Sequence, residues 1–131
     1  MPAIQNLVLT DNNNTDHTYV PRDIVGGVAT VAETSGVPFG NALFSISTSQ
    51  TAGGAYKVRI RMSKPVLVNE TVNGVTKSTV LRTARFEGMF TFDPSSTATE
   101  RANFVSELKS AFAVDKALVW GCVVDLQGIY R

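Results

Sequence analysis

The stretch NALFSISTSQTAGGAYKVRIRM, residues 41 to 62, decides the fold. On either side of the TAGG connection at 51–54 its residues alternate strictly between apolar and polar. Successive side chains of a strand point to opposite sides, so Ser45, Ser47, Ser49, Lys57, Arg59 and Arg61 share one face. Phe44, Ile46, Tyr56, Val58, Ile60 and Met62 share the other. The short connection makes the two strands antiparallel neighbours. A third alternating segment, ending at Asp93, adds Thr83 and Arg85 to the polar phase and Phe86, Phe90 and Phe92 to the apolar one. The expectation is a sheet with a basic, hydroxyl-rich face and an apolar face that needs covering.

Working outward, Ile4–Thr10 and His17–Val20 read as the arms of an N-terminal hairpin around the turn DNNNTD. Gly26 and Gly27 precede a further strand, Val28–Glu33, and SGVPFG at 35–40 is a loop. Between Pro65 and Ser78, Asn73-Gly74 is the strongest short hairpin signal in the chain. After Asp93-Pro94 the period changes. Thr97 and Glu100 have capping-box spacing, and Phe104, Val105, Leu108, Ala111 and Phe112 form a helical stripe, which predicts a helix over 97–112. A second, nearly all-apolar helix is expected from about Asp115 to Gly128. Strands followed by two helices make an α+β layout with the helices on one face of the sheet. With so few helices over a wide apolar face and an open sheet edge, the chain is expected to be an obligate oligomer.

The chain has 131 residues, 44% of them hydrophobic, and a net charge of +1. That is the size and composition of one globular domain, and it is no polycation. Attraction to nucleic acid therefore has to come from local concentration of charge. Cys122 is the lone cysteine, so no intrachain disulfide forms and a reducing compartment is expected. The N-terminus lacks a signal-peptide pattern, and no apolar run reaches the roughly 18 residues that span a bilayer.

His17 and Cys122 are the sole imidazole and thiol, so no metal motif exists. There is no GxSxG elbow, and the lone His17 in a hairpin has no catalytic context, so no enzyme and no cofactor are expected. Neither glycine pair, 26–27 or 53–54, fits a phosphate-binding fingerprint. The basic face differs. Lys57, Arg59 and Arg61 stand about 7 Å apart along one strand, near the spacing of successive phosphates on a nucleic acid strand. An ordinary solvated outer face is the alternative. Small hydroxyls at 45, 47 and 49 leave room for an unpaired base to lie against the sheet, which favours RNA.

On these residues the chain resembles the coat proteins of the single-stranded RNA bacteriophages, the leviviruses. The resemblance runs over nearly the whole length, through LVLTDNNNTDHTYVP, GGVATV, SISTSQ, AYKVRIRMSKP, TVNGV and the terminal QGIY. It implies an N-terminal β-hairpin (1–22), a five-stranded antiparallel sheet (28–93) and two C-terminal helices (97–128) interlocked in a dimer. It also implies an icosahedral shell, in the usual family pattern of ninety dimers, assembled in the bacterial host cytoplasm and forming the virion. The sheet is then expected to bind single-stranded viral RNA and a hairpin that couples packaging to translational repression. By position, the resemblance assigns Val28, Ser45, Ser47, Lys57 and Arg59 to a pocket for an unpaired adenine. Ser49 and Arg61 fall on backbone-contact positions, and Thr83 belongs to the same RNA-binding phase. Arg85 stands where a stacking tyrosine is common, and Glu87 where asparagine is. Arg85 can still stack through its guanidinium plane, whereas Glu87 sets a carboxylate toward RNA. Residues Glu70, Thr71, Val72, Asn73, Gly74, Val75, Thr76, Lys77 and Ser78 correspond to the loop that adapts to five-fold and quasi-six-fold contacts. The rival function is a cellular sheet-based RNA-binding module that never forms shells.

Overall fold

The computed structural model describes residues 2–34 and 40–129. Most of the SGVPFG loop and Tyr130 of the terminal QGIY fall outside them. Six antiparallel strands lie in chain order in one sheet: β1 Leu7–Thr10, β2 Asp16–Val25, β3 Val28–Glu33, β4 Ala42–Gln50, β5 Tyr56–Val72 and β6 Val75–Phe92. Two helices follow, α1 Ala98–Ala111 and α2 Ala117–Val123.

Three of the strand connections have a local cause in the described residues. At Asn73 and Gly74 φ is 52° and 78°, and at Gly26 and Gly27 it is 59° and 80°. Two successive positive values are those of a type I′ turn, whose twist matches the strands it joins. The Asp11 carboxylate organises the first turn, its Oδ1 accepting from the amides of Asn13 and Thr15 at 2.9 and 3.0 Å. The stretch 70–78 is therefore the tip of a long β5–β6 hairpin rather than an irregular loop. Thr71 and Thr76 hydroxyls meet across it at 3.3 Å, and Ser78 Oγ donates to Asn69 Oδ1 at 2.7 Å.

The sheet contains six strands with the N-terminal hairpin included, where five beside that hairpin were expected. The reason lies in β2, which continues through Pro21. Its first half, Asp16–Tyr19, pairs with β1, and its second half, Val20–Val25, pairs with β3. The register slips by one residue between Pro21 and Asp23. A bulge of this kind adds a residue on one strand and bends it.

By contact the chain divides into two compact units, one running up to Thr91 and the other from Phe92 onward. In the first, Tyr19, Val31, Ala32 and Ala42 are the buried hydrophobic residues, and Ile4, Leu7, Leu9, Phe44 and Met62 pack against this cluster. Complete burial of Tyr19, 1% exposed, is worth about 1.5–3 kcal/mol. Register places Val31, Phe44 and Met62 side by side on one face. Further along that face Ile46 and Tyr56 keep 40% and 44% of their surface exposed.

In the second unit Thr97 caps α1, its Oγ1 accepting from the Glu100 amide at 3.2 Å. Glu100 in the first turn and Lys109 in the last complement the helix dipole. The rings of Phe92 and Phe104 meet edge to face, centroids 6.0 Å apart. The apolar stripe of α1 stays open, with Phe104 54%, Val105 45% and Phe112 49% exposed. Helix α2 is shorter than the expected 115–128. Apolarity along a segment says nothing about where its backbone turns. Here Leu126 adopts φ of 56°, and the Gln127 amide reaches back to the Gly121 carbonyl at 3.0 Å, which ends the helix.

Candidate nucleic-acid interface

Alternation assigns faces within a strand, and register joins strands into a surface. Directly across β3, β4 and β5 the Cα partners are Val28, Ser47 and Arg59, then Thr30, Ser45 and Arg61, with Ser49 opposite Lys57. Cross-strand partners share a face, so these residues form one patch opposite Val31, Phe44 and Met62. Ser45 and Ser47 are half-buried, with Arg61 and Arg59 of β5 on one side and Thr30 and Val28 of β3 on the other, and the Thr30 and Ser45 hydroxyls lie 3.3 Å apart. Short hydroxyls beside long cationic side chains leave a lower strip along β4 that offers donors and acceptors.

Strand β6 joins the patch through Glu87. Its Oε1 lies 3.3 Å from Arg61 Nη2 and 3.6 Å from Arg59 Nε. Arg85, two residues away on the same phase, lines a shallow depression of about 570 Å³ with Leu43, Ser45, Arg61, Ser63 and Glu87. Met62 and Phe86 complete its wall. Thr83 follows in the same phase, half-buried. All three charged groups of the ion pair remain about half exposed: Arg59 45%, Arg61 56% and Glu87 56%. Pairs this open contribute about 0–1 kcal/mol each and are screened by salt. The arginines are thus held loosely and can exchange Glu87 for another anion.

Two features of this surface escaped the sequence reading. Thr30 is the first, although its phase with Val28 in VATVAE was a usable signal. Asp23 is the second: the β2 bulge leaves it opposite Thr30, on the basic face. The patch therefore carries four cations, Lys57, Arg59, Arg61 and Arg85, against Glu87 and Asp23. The nine residues of the 70–78 hairpin tip are not part of it. They form the far end of the β5–β6 hairpin, well beyond Arg61 at about 3.3 Å per residue along β5. No three His, Cys, Asp or Glu side chains among the described residues are arranged to hold a metal ion. Nor is any helix among them long and apolar enough to cross a membrane.

Comparison with known proteins adds independent findings. The family model for the levivirus coat protein matches residues 2–130. The capsid protein of Pseudomonas phage PRR1 is 43% identical over 129 residues, covering 97% of this chain and 98% of that protein. Among solved structures, a virus-like particle of Beihai levi-like virus 21 matches with a TM-score of 0.81 and 26% identity, covering 99% of this chain and 100% of that one. The bacteriophage GA capsid protein matches with a TM-score of 0.83 at 21% identity, covering 97% and 98%, a likeness of fold.

Proposed function

This chain belongs to the levivirus coat protein family, and we propose that it is a capsid subunit that pairs into dimers, assembles into an icosahedral shell and binds single-stranded viral RNA on the β3–β6 face. It is a structural protein and not an enzyme, as its family is. The virion is where it acts, and the bacterial cytoplasm is where it assembles. The observation that carries the RNA reading is the cross-strand row of cations over hydroxyls, Arg59 with Ser47 and Arg61 with Ser45, on a face opposite the apolar one. Phosphates supply affinity to such a row, and the small hydroxyls with Val28 and Thr30 leave space for an unstacked base. Arg85 offers a guanidinium plane on which a second base stacks.

Dimerisation is supported by what one protomer leaves uncovered. Four hydrophobic residues are buried among the described ones, while Ile46, Tyr56 and Phe86 in the sheet and Phe104, Val105 and Phe112 in the second unit remain 40–54% exposed. Apolar surface on that scale marks an interaction site. A core this small is not expected to hold a 131-residue chain folded by itself. The match at 26% identity to a virus-like particle of Beihai levi-like virus 21 supports the shell.

The test is a double substitution, Arg59→Gln with Arg61→Gln, followed by filter binding to single-stranded RNA over a salt series. Loss of two phosphate contacts lowers affinity and flattens the slope of log K against log salt by about 1.4, with the oligomer intact by size exclusion. Unchanged salt dependence removes the RNA role from this face. Electron microscopy of the unmodified protein is expected to show shell-sized particles; dimers alone would leave the shell-less RNA-binding module instead.

A further inference from the structure

The chain's lone histidine is held between two carboxylates drawn from different elements. His17 Nδ1 lies 2.7 Å from Glu33 Oε2, and Nε2 lies 2.9 Å from Asp11 Oδ2. An ionised carboxylate only accepts hydrogen bonds, so a ring that satisfies both must carry a hydrogen on each nitrogen. The site is also a mechanical junction. His17 sits opposite Leu9 in the half of β2 that pairs with β1, ahead of the half that pairs with β3. Asp11 opens the β1–β2 turn and holds the amides of Asn13 and Thr15 with its other oxygen. Glu33 is the last residue of β3. Through one imidazole, the hairpin turn is tied to the end of β3, just ahead of the bulge between Pro21 and Asp23.

We propose that Asp11, His17 and Glu33 form a proton-operated latch that fastens the N-terminal hairpin to the sheet, closed while the ring carries two N–H groups and opened when it loses one. A neutral imidazole keeps one N–H and turns a lone pair toward the other carboxylate. At 2.7–2.9 Å that contact is repulsive, and one of the two bonds breaks. Either break severs the tie from turn to β3. The released proton passes to water, since the ring keeps 23% of its surface exposed.

The groups facing the ring act in both directions. Hydrogen bonds to Asp11 and then Glu33 raise the pKa of His17 above its ordinary value, while burial and the charge of Lys64 on β5 oppose them. The Asp11 carboxyl is lowered, first by its bond to His17. Tyr19, on the same strand, is raised by burial and by Glu33, and stays neutral throughout. A raised histidine contributes its stabilisation fully below its unfolded pKa and loses it as pH climbs through the folded value. A lowered aspartate loses its contribution as pH falls through its folded value. The latch is closed between those limits.

The test uses the purified full chain. Nitrogen NMR of the labelled histidine is expected to show both ring nitrogens protonated at neutral pH and a midpoint above the ordinary ~6.5. Glu33→Gln and Asp11→Asn should each lower that midpoint by about one pH unit. Hydrogen exchange of the amides of β1 and of the first half of β2, corrected for intrinsic rates, should accelerate several-fold through the same midpoint. In His17→Gln it should show no such step. A midpoint at or below the ordinary value overturns the latch, as does hairpin protection in the unmodified protein that ignores the ring's titration. The unmodified protein and Glu33→Gln suffice if His17→Gln does not fold.

Discussion

Glu87 Oε1 sits 3.3 Å from Arg61 Nη2, and the same oxygen is 3.6 Å from Arg59 Nε, so one carboxylate serves as counter-ion to both central arginines of the basic face. An RNA phosphate approaching either arginine competes with a group already in place. Removing the charge while keeping the shape separates this competition from packing. Glu87→Gln is expected to tighten binding of single-stranded RNA at low salt by about fivefold, equivalent to about 1 kcal/mol for one charge at this range in a watery environment. The salt slope should steepen by about 0.7 for each additional phosphate engaged. Filter binding with a homopolymeric RNA measures both, and an unaltered slope would show that Glu87 does not compete.

Much of this surface was legible from sequence because strand alternation is local. Ser45, Ser47, Lys57, Arg59 and Arg61 fall into one phase without any knowledge of pairing, and TAGG made the two strands neighbours. The Thr97 cap and the Asn73-Gly74 turn were legible for the same reason, each depending on a few adjacent residues. What failed to show was relational. Glu87 meets Arg61 across 26 residues of chain, and His17 meets Glu33 across 16. No periodicity encodes such meetings. The hairpin arm His17–Val20 was expected to be a separate short strand, yet β2 carries on through Pro21 into the sheet, with a bulge between Pro21 and Asp23. The end of α2 was misjudged because its residues are apolar on both sides of the point where Leu126 turns the backbone.

The β5–β6 tip gives a second prediction. Gly74 has φ of 78°, and a Cβ placed there would meet nothing within 4 Å. Substitution therefore costs backbone conformation alone. Gly74→Ala should destabilise by about 1–2 kcal/mol, the cost of left-handed geometry for an L-residue. Gly74→Asn should recover much of the loss, since asparagine tolerates that region. Chemical denaturation at one fixed protein concentration tests this, because the stability of any self-associating chain shifts with concentration. Equal losses for Ala and Asn would mean that crowding in the assembled protein sets the cost, not the turn.

Gly88 poses the opposite case. A Cβ there would stand 2.8 Å from Phe86 Cζ and 3.0 Å from its Cε1, so the ring of Phe86 occupies the space a side chain would take. The two residues are in the same phase of β6, and Phe86 is 50% exposed, so its ring can swing away at modest cost. Glycine within a strand is itself unfavourable, because the unfolded chain gains the freedom that the strand removes. Gly88→Ala in the natural background sets a gain of a few tenths of a kcal/mol against a displaced ring and should come out near neutral or slightly destabilising. In a Phe86→Leu background the steric conflict is gone, and the same change should stabilise by about 0.5 kcal/mol. A double-mutant cycle at fixed concentration reads the difference as a coupling between the two positions. Strict additivity would mean that the Phe86 ring exerts no hold on residue 88, and that glycine is there for a reason other than the ring.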